Sequence, residues 1–300
     1  MRLPMSAIDL GVKISHGAFG EVYRGTLNAH PVAIKQLSPQ HRKSTKLIIC
    51  FLNEAKLTAS IRHERIIDLI GVAWTNTANV LVVTEYMGGG DLRELLAMYQ
   101  DEDRPTGFES LEKLKIALHT IDALAYLHSR QPTPVLHRDL KSRNILLSMK
   151  LDAKLIDFGV SRERADLTMT AGVGTLRWMA PEVMLGERYG PAADIFSYGA
   201  VLSELDTHMI PYTHNGQSRP DAAIIKMVID GTLHVDFTEP ETHAVVRLAR
   251  ACMSRDPSSR PSAAVVAAQI RHILELYRIG ADSDGTIATT ALVDSHGFYV

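Results

Sequence analysis

The chain has 300 residues, 46% apolar and 22% charged, which is ordinary globular composition and enough to bury a large core in one or two lobes. A net charge of −2 gives no bulk attraction to nucleic acid or to an anionic membrane, and neither is expected as a partner. No stretch approaches the roughly 18 unbroken apolar residues of a membrane span, MRLPMSAIDLG lacks a signal peptide's apolar run, and Cys50 and Cys252 lie too far apart for a CxxC site, so reduced thiols in a cytoplasmic setting are expected.

Residues 8–37 alternate in a strand-like way, through Leu10, Val12 and Ile14, then Val22 and Tyr23, then Val32, Ala33 and Ile34. Glycines and polar residues punctuate these runs, which predicts strands joined by turns. From Lys43 to Ile61 the apolar positions Leu47, Cys50, Phe51, Leu57 and Ile61 recur at helical spacing. NVLVVTEYM, which starts at Asn79, reads as a buried strand. After the glycines at 88–90 the pattern turns helical almost throughout, with breaks at 100–110, 131–134 and 150–180. A β-rich small end and an α-rich large end predict an α+β protein of two lobes, with a boundary near Met87–Gly90. The last stretch, GADSDGTIATTALVDSHGFYV, is small, polar and aperiodic, and reads as a mobile tail.

Several short stretches carry chemistry. KISHGAFGEV, residues 13–22, places Gly17 and Gly20 in a turn between strands, where backbone N–H groups can approach phosphate oxygens without an intervening Cβ. VAIK ends in Lys35. If that lysine faces inward it needs an anionic partner to offset its desolvation, and Glu54 in the following helix is the candidate. In KLIDFGVS, Asp157 follows an apolar strand, a placement that suits the hard-oxygen coordination of Mg²⁺. VLHRDLKSRNILL, residues 135–147, holds His137, Arg138, Asp139, Lys141, Arg143 and Asn144 between apolar ends. On the residues alone two readings stand: a polar surface loop between buried strands, or an anchored loop displaying an acid–base group, a cation and an amide. GTLRWMAPE (174–182), DIFSYG (194–199) and DPSSRPS, with Arg260, follow.

Taken in order, these motifs resemble those of the eukaryotic protein kinases over residues 8 to 278. The resemblance implies the bilobal protein kinase fold: an extension at 1–7, a small β-rich lobe with one main helix at 8–87, a mainly helical lobe at 88–278, and a tail at 279–300. It also implies ATP as substrate, Mg²⁺ (for which Mn²⁺ can substitute) as cofactor, and proteins presenting Ser or Thr as acceptors. By the same resemblance Asp139 is the base, and Lys141 steadies charge at the γ-phosphate. Asn144 and Asp157 hold the metal, and Lys35, held by Glu54, meets the α- and β-phosphates. Ile14, Gly17, Gly20, Val22, Ala33 and Leu146 line the nucleotide. Thr84 ends the strand behind adenine, and Glu85 to Met87 form the hinge. Thr175 closes the floor on which a short hydroxyl side chain rests. Three positions depart from the family's pattern: Ser15 replaces the first glycine of the loop, Phe196 replaces a Trp, and Thr58 replaces a larger apolar residue.

HRDLK resembles the Ser/Thr kinases, whereas RWMAPE and VTEYM resemble the tyrosine kinases. The blend is similar to the tyrosine-kinase-like group that includes the Raf and mixed-lineage kinases. The alternatives are a pseudokinase scaffold and a dual-specificity or tyrosine kinase. Thr168 and Thr170 lie between Asp157 and Glu182 in a polar stretch without periodicity. A phosphate there could be gripped by Arg138, so activation by phosphorylation, in trans by a second copy, is expected.

Overall fold

In a computed structural model, described for residues 1–17, 20–108, 111–158, 176–187, 190–214 and 217–282, the two-lobed α+β architecture is present. The small lobe is a five-stranded antiparallel sheet of β1 (Ile8–His16), β2 (Gly20–Leu27), β3 (His30–Leu37), β4 (Leu69–Asn76) and β5 (Asn79–Glu85), in the order β1-β2-β3-β5-β4. Its one long helix is α1 (Thr45–Ala59), capped by the Ser44 hydroxyl, which accepts from Leu47 N.

The period of two decides what the sheet buries. Val80 and Val82 of β5 face α1, where Leu37, Phe51 and Ala55 meet them. Leu81 and Val83 point the other way and join Val32, Ile34 and Ala73. Both faces of β5 are therefore covered, so VLVV is apolar without alternation. The second face is closed by the chain's first residues. Leu3 N donates to Val72 O and Val72 N to Met1 O, both at 3.0 Å, so residues 1–3 run along the β4 edge. Leu3, Met5 and Ile8 pack on the Val32–Ile34 cluster. The segment expected to be a mere extension is thus part of the small lobe's packing.

Between the lobes, Gly89 N donates to Leu147 O at 2.8 Å and Leu147 N to Gly90 O at 2.9 Å. A Cβ at Gly89 would lie 2.5 Å from Ser148 O, so the backbones can approach this closely only at a glycine. The chain then enters α2 (Leu92–Asp101) through a capping box of Asp91 and Glu94.

The large lobe is built on α3 (Leu111–Ser129), α5 (Pro191–Thr207), α7 (Ala244–Cys252) and α8 (Ala263–Asp282), which share one core with α2. The short α4 (Pro181–Met184) and α6 (Asp221–Ile229) border a second cluster around Phe196 and Tyr212. Two differences from the sequence reading stand out. Residues 135–147 form the loop read from their charged centre, although the coarse helical pattern put no break there: a loop, a 3₁₀ turn at Ser142–Asn144 and strand β6 (Ile145–Leu147), which pairs with β7 (Ala153–Leu155). In addition, α8 runs to Asp282, into the stretch read as tail. The remaining two-residue strands, β8 (Thr213–His214) and β9 (Gln217–Ser218), form a small hairpin.

The A-P-E end of the DFG-to-APE stretch is fixed by an ion pair. Arg260 donates from both terminal nitrogens to Glu182, at 2.7 and 2.8 Å. The guanidinium also donates to Ala192 O and Ser254 O and lies 5.1 Å from the Phe196 ring centroid. Removing one side of a buried pair strands the other charge and costs about 3–5 kcal/mol. Arg260→Ala is therefore expected to lower the denaturant midpoint by that much stability, and an unchanged midpoint would refute the assigned role.

Candidate active site

The small lobe aims Lys35 by register. Lys35 pairs across β2 with Val22 and across β5 with Val82, while Ala33 pairs with Thr84. Opposed residues share a face, so Val22, Ala33, Lys35 and Thr84 lie together on the side away from the Val32–Ile34 cluster. Leu37, two residues beyond Lys35, packs against α1 on that side. Lys35 Nζ lies 2.6 Å from Glu54 Oε1 on α1 and 2.5 Å from Asp157 Oδ1, which follows β7. The lysine is thus inward, and its charge is met from both lobes. Asp157 holds φ of 56°, left-handed backbone that Asp adopts more readily than most residues.

Glycines in the KISHGAFGEV turn divide by cause. A Cβ on Gly20 would meet Gln36 O at 2.8 Å, so the β2–β3 ladder itself demands the glycine. Among the described residues, a Cβ on Gly17 would find nothing nearer than Gly20 O at 3.8 Å. Ile14 is 46% exposed on β1, and Leu146 on β6 is half-buried. Thr84 Oγ1 donates to Glu85 O at 3.3 Å, and Met87 is buried. The Glu85 side chain accepts through Oε1 from Lys154 Nζ at 2.5 Å and from Asp68 N at 2.8 Å.

The charged loop is held from beneath by α5. Asp194, fully buried, accepts from His137 N and Arg138 N, each at 2.8 Å, and pairs with His128 Nε2 at 2.8 Å. Burial works to raise this carboxyl, but the His128 bond and the neighbouring positive charge and amides outweigh it and hold it below the ordinary value. The grip also allows Arg138 to adopt φ of 68°. Burial pushes the His137 imidazole down, keeping it neutral against Phe158, whose ring centroid is 6.5 Å away.

Above this anchor, Lys141 Nζ lies 2.9 Å from both Asp139 oxygens. Asn144 Nδ2 donates to Asp139 O at 2.7 Å and to Asp139 Oδ2 at 3.1 Å. The amide's Oδ1 and the Asp157 carboxylate, whose Oδ1 also meets Lys35, are hard oxygen donors of the kind Mg²⁺ takes along with phosphate oxygens and water. No cluster of three or more His, Cys, Asp or Glu suited to a metal is found among the described residues. Thr58 Oγ1 turns back to Glu54 O at 2.9 Å, so the hydroxyl is satisfied within α1. Gly159, Thr168, Thr170 and Thr175 lie outside the described residues. Motif spacing did not reveal Asp194, although DIFSYG contains it; a charged residue inside an otherwise apolar helix was the available signal.

The protein kinase domain model matches residues 8–272, and the chain belongs to that family. It is 32% identical over 299 residues to the serine/threonine-protein kinase STY17 of Arabidopsis thaliana, covering 99% of this chain and 48% of that protein. To the serine/threonine/tyrosine-protein kinase HT1 of the same plant it is 32% identical over 277 residues, 91% of this chain and 67% of the relative. A probable serine/threonine-protein kinase of Dictyostelium discoideum is 36% identical over 271 residues, 89% of this chain and 42% of the relative. Thus the chain spans less than half the length of several relatives it matches. These relatives agree with the tyrosine-kinase-like grouping read from the motifs.

The Lys35–Glu54 contact gives a direct test. Lys35→Met is expected to abolish turnover, and Glu54→Gln to give a milder loss by misplacing the ammonium. In a double-mutant cycle of turnover the two losses should be strongly non-additive, because one side chain acts through the other. Strictly additive losses would mean that the pair does not act as a unit.

Proposed function

We propose that this chain is the catalytic domain of an ATP- and Mg²⁺-dependent protein kinase that transfers the γ-phosphoryl group of ATP to Ser and Thr hydroxyls of protein substrates in signal transduction. The observation that carries the reading is the meeting of Lys35, Glu54 and Asp157 across the two lobes, with Asp139, Lys141 and Asn144 in mutual contact in the large lobe.

ATP is the donor substrate. Adenine lies between Val22 and Ala33 on one side and Leu146 on the other, with Ile14 at the edge, Thr84 behind, and the Glu85–Met87 backbone along its rim. Gly17 and Gly20 cover the phosphates, and Lys35 binds the α- and β-phosphates. Asn144 Oδ1 and Asp157 would hold Mg²⁺, or Mn²⁺ in its place. When bound, the ion neutralises phosphate charge and orients the transferring group.

Asp139 orients the acceptor hydroxyl and takes its proton as the O–P bond forms. The γ-phosphorus–oxygen bond to ADP breaks, and ADP leaves. Lys141, already at the Asp139 carboxylate, turns to the γ-phosphoryl oxygens. Phosphoryl transfer has a loose transition state, so positioning and charge neutralisation supply most of the acceleration. All these groups are present, which favours catalysis over a scaffold. Lys141, with Thr175 as floor, selects short hydroxyl side chains.

The reading places the chain in the cytoplasm and extends to control. Phosphorylation of Thr170 or Thr168, in trans by a second copy, draws Arg138 onto the phosphate. Among the described residues no helix is long and apolar enough to cross a membrane.

Asp139→Asn removes the proton acceptor with little change of shape, and Asp157→Asn weakens a metal ligand. Both variants should fold as the parent and lose at least about 10²-fold in turnover, the scale of a positioned acid–base group. Steady-state kinetics on either variant at the parent's rate would overturn the assignment.

A further inference from the structure

The hairpin of β1 and β2 departs from the family's pattern at Ser15, which stands where the loop's first glycine is usual. Ser15 lies within β1, in extended backbone that any residue adopts, so the side chain brings no strain. The register of the hairpin decides where that side chain goes. Lys13 pairs with Tyr23 and Ser15 with Val22, two steps along β1 against one along β2. Ile14 is the extra residue of a bulge, a device that re-aims the side chains after it. Without the bulge Ser15 would share a face with Lys13. There Lys13 Nζ lies 3.3 Å from Glu21 Oε1 and Tyr23 OH donates to Glu21 Oε2 at 3.0 Å. With the bulge, Ser15 shares a face with Val22.

Val22 in turn pairs with Lys35 across β2 and β3. Ser15, Val22 and Lys35 thus form one row on the cleft face of three neighbouring strands. Strands lie about 4.8 Å apart, so the row spans roughly 10 Å. The next row toward the hinge holds Arg24 and Ala33, and Ala33 pairs with Thr84. On the other side the turn is closed by Gly17 N, which donates to Gly20 O at 2.8 Å. Under the proposed function adenine lies beneath Ala33 and Thr84, and the phosphates lie between Lys35 and the turn. Ser15 therefore overhangs the phosphate chain from the strand farthest from Lys35.

The Ser15 hydroxyl has no competing bond. The residue is exposed, and among the described residues it makes no hydrogen bond. The hydroxyls of Thr84 and Thr58, by contrast, donate to Glu85 O and Glu54 O. A serine hydroxyl is a neutral donor on a short side chain, so it can bond an anionic oxygen with little rotamer freedom to lose. A glycine in this place offers its backbone alone.

We propose that Ser15 is a nucleotide-binding residue: its hydroxyl donates to an oxygen of the ATP phosphate chain, a contact that the family's usual glycine cannot make. This rests on the kinase reading and assigns a side chain to a loop otherwise read as acting through its backbone.

The test measures dissociation constants for ATP, ADP and adenosine by titration calorimetry in Mg²⁺, on the parent and on Ser15→Ala, Ser15→Thr and Ser15→Gly. Ser15→Ala removes the hydroxyl from an exposed strand position and should fold as the parent. It is expected to weaken ATP and ADP about three- to tenfold, the scale of one net hydrogen bond, and to leave adenosine within about twofold. Ser15→Thr keeps the hydroxyl on a residue that suits a strand and should bind ATP within about twofold of the parent. Ser15→Gly should fall at least as far as Ser15→Ala, because it lacks the hydroxyl and frees the backbone. In steady-state kinetics Ser15→Ala should raise KM for ATP with kcat little changed, the mark of an interaction kept through the reaction.

Parent-like ATP affinity in Ser15→Ala would overturn the proposal and leave the kinase reading standing. An equal loss for adenosine would move the contact to the nucleoside and overturn the phosphate assignment. A loss in Ser15→Thr as large as in Ser15→Ala would trace the effect to the loop rather than the hydroxyl, with the same consequence. A folded parent that binds no ATP would overturn the kinase reading itself, and this proposal with it.

Discussion

A lysine directed into a cleft between two lobes keeps its charge only if anions reach it, and here one comes from each lobe. Glu54 rides on α1 and Asp157 on the turn after β7, and both meet the Lys35 ammonium. The contact sets the rotation of α1, since Glu54 must face the sheet. It also sets the turn at Asp157, held at φ of 56°. It couples the separation of the lobes to the position of the groups that would hold phosphate and metal. Elsewhere the lobes are joined by backbone: Leu155 N donates to Arg65 O and Ile67 N to Leu155 O, so the segment after α1 moves with the large lobe. The His63 ring stacks on Tyr126 at 4.7 Å and strengthens that junction.

Beneath the cleft, two buried carboxylates on α5 behave oppositely. Asp194 collects two amides and a histidine and stays below its ordinary value. Glu204 has two neutral donors and a more distant guanidinium and rises to about 7. The difference follows from donor number and charge at similar depth. The apolar ends of VLHRDLKSRNILL have the same logic. Ile145 and Leu147 at one end are fully buried, Val135 and Leu136 at the other are half-buried, and Leu140 between them is nearly fully buried, so the loop rests on a fixed base.

Much of this was legible in the sequence. The alternation in 8–37 gave β1 to β3, the helical spacing after Lys43 gave α1, and the run at Asn79 gave β5. The residues alone left Lys35 either solvent-facing or inward with Glu54 as its partner, and the pairing of the two came from the resemblance of the motifs in order. Strand β4 was missed because LIGVAWTN mixes a glycine and a polar end and has no clean alternation. Strands β6 and β7 are three residues each, too short for any period to show. The packing of residues 1–3 on β4 is carried by backbone pairing, which composition does not register. Asp194 and Glu204 escaped for a related reason. Helix α5 is buried nearly all round, so its polar residues form no amphipathic stripe, and their partners lie far away in sequence.

The central claim is the transfer of phosphate to aliphatic hydroxyls. It is tested most directly by incubating the folded chain with γ-labelled ATP, Mg²⁺ and a mixed protein acceptor, then hydrolysing the products and separating the phosphoamino acids. The account predicts label in phosphoserine and phosphothreonine. Label confined to phosphotyrosine, or none transferred by a folded chain, would contradict it.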